Sequence, residues 1–306
     1  MEDLVPSPEV TKASGVDFAN HSFAKLDDLP AVSVSQADIV AALQSAFWDI
    51  RHPRQTAWGE HIPFMFSLMA LAKPRRFVEL GVYNGASFLA ACQAVQTGNL
   101  STTCVAIDNW LGEVHVGRYS ESVFDSFVAA LGEYGAFAGY IRKEFDQAHV
   151  QFADGSIDLL HVDGFHTTEA VQNDFETWLP KMSNRGIMMF HDTNEFREGF
   201  GVWRFWQSVR TKFPHFEFMH GHGLGILFVG DENPLIGLLG GGSERPASPI
   251  SNESLQAVFG GIGRLAWEAT MKDEQHALAI RKMKASTSWR ITGPLRALKR
   301  LVRRKK

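Results

Sequence analysis

Between residues 75 and 230 the chain alternates short apolar runs with stretches of helical spacing, and most of the apolar runs stop at a polar or acidic residue. Phe77-Val78-Glu79-Leu80, Cys104-Val105-Ala106-Ile107, Ile157 to Val162 and Gly186 to Phe190 read as strands, with a weaker one at Ala138-Gly139-Tyr140-Ile141. Ala86 to Val95, Phe124 to Leu131, Thr168 to Leu179 and Phe200 to Phe213 read as the helices between them. In the third of these, Val171, Phe175, Trp178 and Leu179 share one face. Strands that are apolar throughout suit a mainly parallel sheet buried on both faces. Ligands of such sheets bind at the carboxyl edge. That rule selects Gly81 to Gly85, Asp108, Asp163 and His191-Asp192, which follow the strands. Phe216-Glu217-Phe218 and Gly225 to Val229 predict a terminal hairpin.

The flanks divide the remaining chain. Residues 1–34 are weakly periodic and predict an irregular arm. The main domain is expected over 35–230, opened by a capping box at Ser35 and Asp38 and closed where the α/β rhythm stops. Residues 231–250 read as a Gly/Pro/Ser linker and 251–306 as a helical extension, with Gly260-Gly261 weakening its start. With 45% hydrophobic residues, the 306-residue chain is not a disordered one. It has no run of about 18 apolar residues to cross a bilayer. Cys92 and Cys104 are too few for a disulfide scaffold and fit a reducing compartment, and the acidic start carries no signal segment. The expected location is cytoplasmic.

Glu79-Leu80-Gly81-Val82-Tyr83-Asn84-Gly85 joins a strand to a helix. Its glycines allow close backbone approach to a ligand, and the helix start offers unpaired N–H groups. Tyr83 breaks the dinucleotide pattern G-x-G-x-x-G, and no Gly-Lys-Ser/Thr follows for a phosphate loop. Asp108, ending the next strand, can bind ribose hydroxyls. Loop and acid together suit an adenosine cofactor without a pyrophosphate. Asp163 and Asp192 end two later strands, and facing carboxylates need a proton or a cation between them. Mg²⁺ is a plausible bridge, with His191 alongside as a third ligand. His166, three residues past Asp163, is suited to accept a substrate proton. His161 reads as a core histidine, and His220 with His222 as a rim loop. His161, Asp163, His166 and His191 are enough ligands for zinc, but their spacing matches neither H-E-x-x-H nor a cysteine site.

Several motifs occur in a telling order: Asp158-Leu159-Leu160-His161-Val162-Asp163-Gly164-Phe165-His166, Trp178-Leu179-Pro180-Lys181, His191-Asp192-Thr193 and Phe200-Gly201-Val202-Trp203-Arg204-Phe205-Trp206. With them, residues 75 to about 230 resemble class I S-adenosylmethionine-dependent methyltransferases, nearest to the glycan-associated and macrocin-type sugar O-methyltransferases. The resemblance implies an α/β Rossmann-like, seven-stranded, mostly parallel sheet with an antiparallel last strand and helices on both faces. It implies that Glu79, Gly81, Asn84, Gly85 and Ser87 surround the methionine part of S-adenosyl-L-methionine, with Asp108, Asn109 and Trp110 at the ribose. It implies Mg²⁺ at Asp163, His191 and Asp192, with His166 and Asp163 catalytic. The relatives carry a carboxylate where this chain has His191. The expected acceptor is a hydroxyl of a sugar or glycan intermediate, in some cases lipid-linked. Two rivals share the scaffold: a cephalosporin-hydroxylase-like metal enzyme and a non-catalytic scaffold of a glycan-assembly complex.

The net charge of −4 hides a division: Arg281 to Lys306 hold 11 basic residues and no acidic one. Within 289–306, Leu295, Leu298, Leu301 and Val302 share one helical face among arginines and lysines. This predicts docking on an anionic membrane surface or a glycosyltransferase complex. The acidic remainder argues against nucleic acid. A homo-oligomer is compatible with all of this.

Overall fold

A computed structural model of the chain describes residues 15–29, 33–113, 117–240 and 251–286. The strands are β1 (Val16–Asp17), β2 (Arg76–Leu80), β3 (Thr103–Asp108), β4 (Gly112–Glu113), β5 (Gly117–Arg118), β6 (Ala138–Arg142), β7 (Ile157–Val162), β8 (Met182–His191), β9 (His215–Phe218) and β10 (Leu224–Phe228). The helices are α1 (Gln36–Ser45), α2 (Ile62–Ala72), α3 (Ala86–Thr97), α4 (Glu121–Leu131), α5 (Phe145–Ala148), α6 (Thr168–Trp178), α7 (Val202–Val209), α8 (Ile236–Leu239) and α9 (Asn252–Ala285). Eight strands form one sheet in the order β1-β6-β3-β2-β7-β8-β10-β9. Only β10 runs against its neighbours. The seven expected strands are present, and β1 extends the edge as an eighth.

Alternation along each strand divides the core. Phe77, Ala106, Leu159 and Met189 join the apolar cluster on one face, while Val78, Ile107, Leu160 and Phe190 join the other. Register then aligns the strand ends. Leu80 lies opposite both Ile107 and Val162, and Val162 opposite Phe190. Gly81, Asp108, Asp163 and His191 therefore emerge side by side along one edge.

The flanks differ from the sequence reading in instructive ways. Val16–Asp17, within the stretch expected as an irregular arm, pairs in parallel with β6, and Phe23 stacks on Phe152 at 4.5 Å. Short apolar residues here cover an edge that would otherwise expose unpaired backbone. The capping box forms, with Ser35 and Asp38 each bonding the other's backbone. Gly201 starts α7 later than the expected Phe200, and the helix ends at Val209. α9 runs unbroken through Gly260-Gly261. Further along the same helix, Gly263 has to be glycine, because a Cβ would strike the backbone carbonyl of Glu60. The helix thus packs directly on the short 3₁₀ turn Ala57–His61, and Trp267 covers Gly59. Residues 241–250 of the expected linker and the basic stretch 289–306 lie outside the described residues. Among the described residues no helix is long and apolar enough to cross a membrane.

Candidate active site

The carboxyl edge opens into a cavity of about 290 Å³, close to the lower end of small-molecule sites. In strand order, Asp108 and Asn109 line one end, Gly81 with Asn84 and Ser87 the middle, and Asp163, His166, His191 and Asp192 the other end. Sequence reasoning thus brings most of its site residues into one place.

The glycine loop is built around Asp108. Its Oδ2 accepts the N–H groups of Val82 and Tyr83 at 2.8 and 2.9 Å, and Oδ1 accepts that of Trp110 at 2.7 Å. Burial raises the pKa of this carboxyl, and the backbone donors oppose that rise. Gly81 sits at φ 83°, and a Cβ there would strike the carbonyl of Asp163. Only glycine lets the loop approach the neighbouring strand end so closely.

Three expected cofactor contacts lie behind the wall instead. Glu79 is fully buried: Oε1 accepts the Ser87 hydroxyl at 2.7 Å and Oε2 faces His161 Nδ1 at 3.0 Å. This follows from register, since Glu79 lies directly opposite His161. Trp58 Nε1 donates to the other nitrogen of His161 at 3.2 Å. Gly85 starts α3 with its α-hydrogen side against Phe127. Trp110 stacks on Phe127 at 5.3 Å and donates to the carbonyl of Tyr83 at 2.9 Å. These side chains and turns brace the loop.

At the far end, His166 Nε2 lies 2.9 Å from Asp192 Oδ2 and 3.8 Å from Asp163 Oδ1. Its ring stacks on Phe200 at 4.6 Å, and its Nδ1 is buried. At 2.9 Å from a carboxylate oxygen, Nε2 carries the ring hydrogen and donates to Asp192. His191 Nδ1 lies 3.3 Å from Asp163 Oδ1 and 3.4 Å from Asp192 Oδ1. Burial opposes charge on Asp163, but His191 and His166 outweigh it and hold the carboxyl well below the usual range. Asp192 is lowered in the same way by His191, His166 and His222. Burial pushes the His191 imidazole down, yet Asp163 and Asp192 raise it further, to about 9.

Backbone strain concentrates here. Tyr83, Trp110, Asp192 and His222 all have φ between 50° and 65°, a region that costs non-glycine residues energy and clusters at functional sites. His222 reaches the cavity from the β9–β10 loop, and Trp58 from the turn before α2. Sequence spacing gave little signal for either, apart from the glycines flanking His222. Arg197, Tyr119 and Phe165 complete part of the rim. Trp203, on α7, packs against Phe196 at 5.4 Å.

Residues 78–193 match a family model described as a methyltransferase domain. The fold is that of the class I S-adenosylmethionine-dependent methyltransferases. The chain is also 44% identical over 177 residues to the uncharacterised protein y4gI of Sinorhizobium fredii. That match covers 58% of this chain and about a fifth of the relative's length. Among solved structures, the S-adenosylhomocysteine-bound methyltransferase PaMTH1 of Podospora anserina aligns at a TM-score of 0.44 and 15% identity, over 65% of this chain and 89% of that one. The O-methyltransferase TomG of Streptomyces achromogenes aligns at 0.41 and 14%, over 64% and 91%.

Proposed function

We propose that the chain transfers a methyl group from S-adenosylmethionine to a hydroxyl of a sugar or glycan intermediate. The observation that carries this reading is the convergence of the Gly81–Gly85 loop, Asp108, Asp163, His166 and Asp192 on one cavity. The site suits the cofactor: the start of α3 supplies N–H donors, Asp108 retains lone pairs for ribose hydroxyls, and Ser87 and Asn84 border the methionine end. Bound there, the cofactor supplies an electrophilic methyl group. The protein's part is orientation and proton removal. His166 Nε2 donates to Asp192, so the hydroxyl proton passes to the Asp163 carboxylate beside it, and the cavity aligns the oxygen for attack. Exposed aromatic faces at Tyr83 and Phe165 suit the C–H faces of a sugar ring.

Mg²⁺ fits this donor set poorly. It prefers oxygen ligands, and histidine stands where the related enzymes carry a third carboxylate. No step of the mechanism is assigned to it.

Calorimetry tests the cofactor. Wild-type protein binds S-adenosylmethionine saturably, and Asp108→Ala weakens binding at least about 10-fold, because both the ribose contact and the acceptor for the loop's backbone N–H groups are lost. Absence of saturable wild-type binding sinks the reading. Transfer of labelled methyl to glycan extracts then identifies the acceptor class.

The basic segment 289–306 supports a peripheral position on an anionic membrane, where a lipid-linked acceptor resides. Flotation with anionic vesicles is expected for the full chain and lost for residues 1–284. Equal flotation of both rejects this part.

A further inference from the structure

Among the described residues, α9 is anchored to the body at one end only. Its buried residues, Leu255, Phe259, Gly260 and Gly263, fall in its first third. From Arg264 to Ala285, about 33 Å of helix, no residue is buried. Helices in proteins take most of their stability from packing of an apolar face rather than from propensity. The outer part of α9 therefore calls for a partner.

The sequence marks the face that such a partner covers. Leu265, Ala269, Lys272, His276, Ala279 and Met283 follow one another at alternating spacings of four and three, the heptad spacing of a two-helix seam. Leu265 is 71% exposed and Met283 45%, with Ile280 beside the seam at 47%. Phe259 and Gly263 point to the other side of the helix, toward Phe64 and Glu60. Anchoring to the body thus leaves the seam open.

Charge selects the partner and its direction. Glu268, Gln275 and Lys282 recur at seven-residue intervals along one flank of the seam. Let a second α9 lie antiparallel, with Gln275 facing its own copy. Glu268 of each chain then faces Lys282 of the other. The same register sets Leu265 against Met283 and Ala269 against Ala279. Lys272 and His276 meet at the centre, where polar seam residues fix register at a cost in stability. Asp273 also meets its own copy there, between the two Lys272 side chains. A parallel pair instead sets Glu268 against Asp273 and each Lys272 against its copy, so like charges oppose it.

We propose that two copies of the chain associate through an antiparallel pair of α9 helices, with a Glu268–Lys282 ion pair at each end of the contact. The partner is a second copy because the helix carries both halves of the charge pattern, acidic at Glu268 and basic at Lys282. No α9 residue lines the cavity, so the contact leaves its walls unchanged. The proposal stands apart from the methyl-transfer reading and needs neither cofactor nor acceptor.

Sedimentation equilibrium of full-length, tag-free protein over micromolar concentrations is expected to show a monomer–dimer equilibrium. Leu265→Asp is expected to weaken the dimer about 100-fold or more, by removing two apolar contacts from the seam. Glu268→Lys is expected to weaken it about 10-fold, because lysine then faces Lys282 at both ends. Lys282→Glu acts alike, and the two exchanges combined restore the affinity of wild type. All three positions are exposed, so the monomer keeps its fold, which circular dichroism checks. A monomer at every concentration overturns the proposal. So does a dimer indifferent to Leu265→Asp, or a double exchange no tighter than its single parents. A monomer whose thermal midpoint falls with Leu265→Asp assigns the face to the chain's own residues 287–306 and also overturns it.

Discussion

Replacing His161 by Ala lowers stability by about 3–5 kcal/mol, the range for removing one partner of a buried ionisable pair and leaving a cavity. His161 and Glu79 are both fully buried and lie 3.0 Å apart. Burial already raises the pKa of Glu79, against the opposing pull of His161 and Ser87. Without the imidazole, Glu79 retains only the Ser87 hydroxyl, and Trp58 loses the acceptor for its indole N–H. The damage should reach the cavity, because Ser87 and Trp58 both line it. His161→Gln retains polar atoms near both partners and is expected to cost about half as much. Denaturant midpoints of the three proteins give the comparison. A His161→Ala midpoint within error of wild type would show that the network contributes no net stability.

That network also marks a limit of reading the chain in one dimension. The strands and the edge they share were legible because a doubly covered parallel sheet needs runs like Ile157 to Val162, and those runs end in recognisable polar residues. Gly81, Asp108, Asp163 and Asp192 were selected by that rule and His166 by its place three residues past Asp163, and all five line the cavity. Glu79 and Trp110 were expected at the cofactor from the resemblance, Glu79 with the loop and Trp110 beside Asp108. Strand alternation instead directs Glu79 under the sheet surface toward His161, and Trp110 turns onto Phe127. His222 was read with His220 as a local pair in a rim loop, and it lies in the loop between β9 and β10. Its contact with Asp192 spans 30 residues of chain and is closed by the reversed strand β10. Gly263 shows the same limit in reverse. Propensity counted Gly260-Gly261 against α9, yet the helix runs through them, and at Gly263 close packing on Glu60 requires a glycine. Local preference loses to a tertiary contact that depends on the missing side chain.

Stability should fall as pH rises from about 4 to 7, and Asp174→Asn should remove most of that fall. Asp174 lies on α6 and is almost completely buried. Burial, with a smaller contribution from Asp146, raises its pKa from 3.8 to about 7. In the unfolded chain the group ionises near its ordinary value. Between these two values the folded protein therefore binds one proton that the unfolded chain has released. Folding is favoured by that proton below the lower value, and the advantage is lost as pH rises through the upper one. A shift of this size corresponds to about 4 kcal/mol across the window, an upper value because local opening would hydrate the carboxylate. Asn cannot ionise and keeps nearly the same volume. The variant should match wild type near pH 4 and exceed it by about 2 kcal/mol or more at pH 8. Ionisation of Asp163 and Asp192 acts in the opposite direction, since their lowered pKa values favour the fold as pH rises from the acid side. Their effect is confined to pH values below the ordinary carboxylate range, so it does not overlap the upper half of the Asp174 window. Denaturant midpoints at half-unit steps from pH 4 to 8 separate the two. Parallel profiles for wild type and Asp174→Asn above pH 5 would mean that Asp174 is ionised in the folded protein and held by a partner that burial conceals.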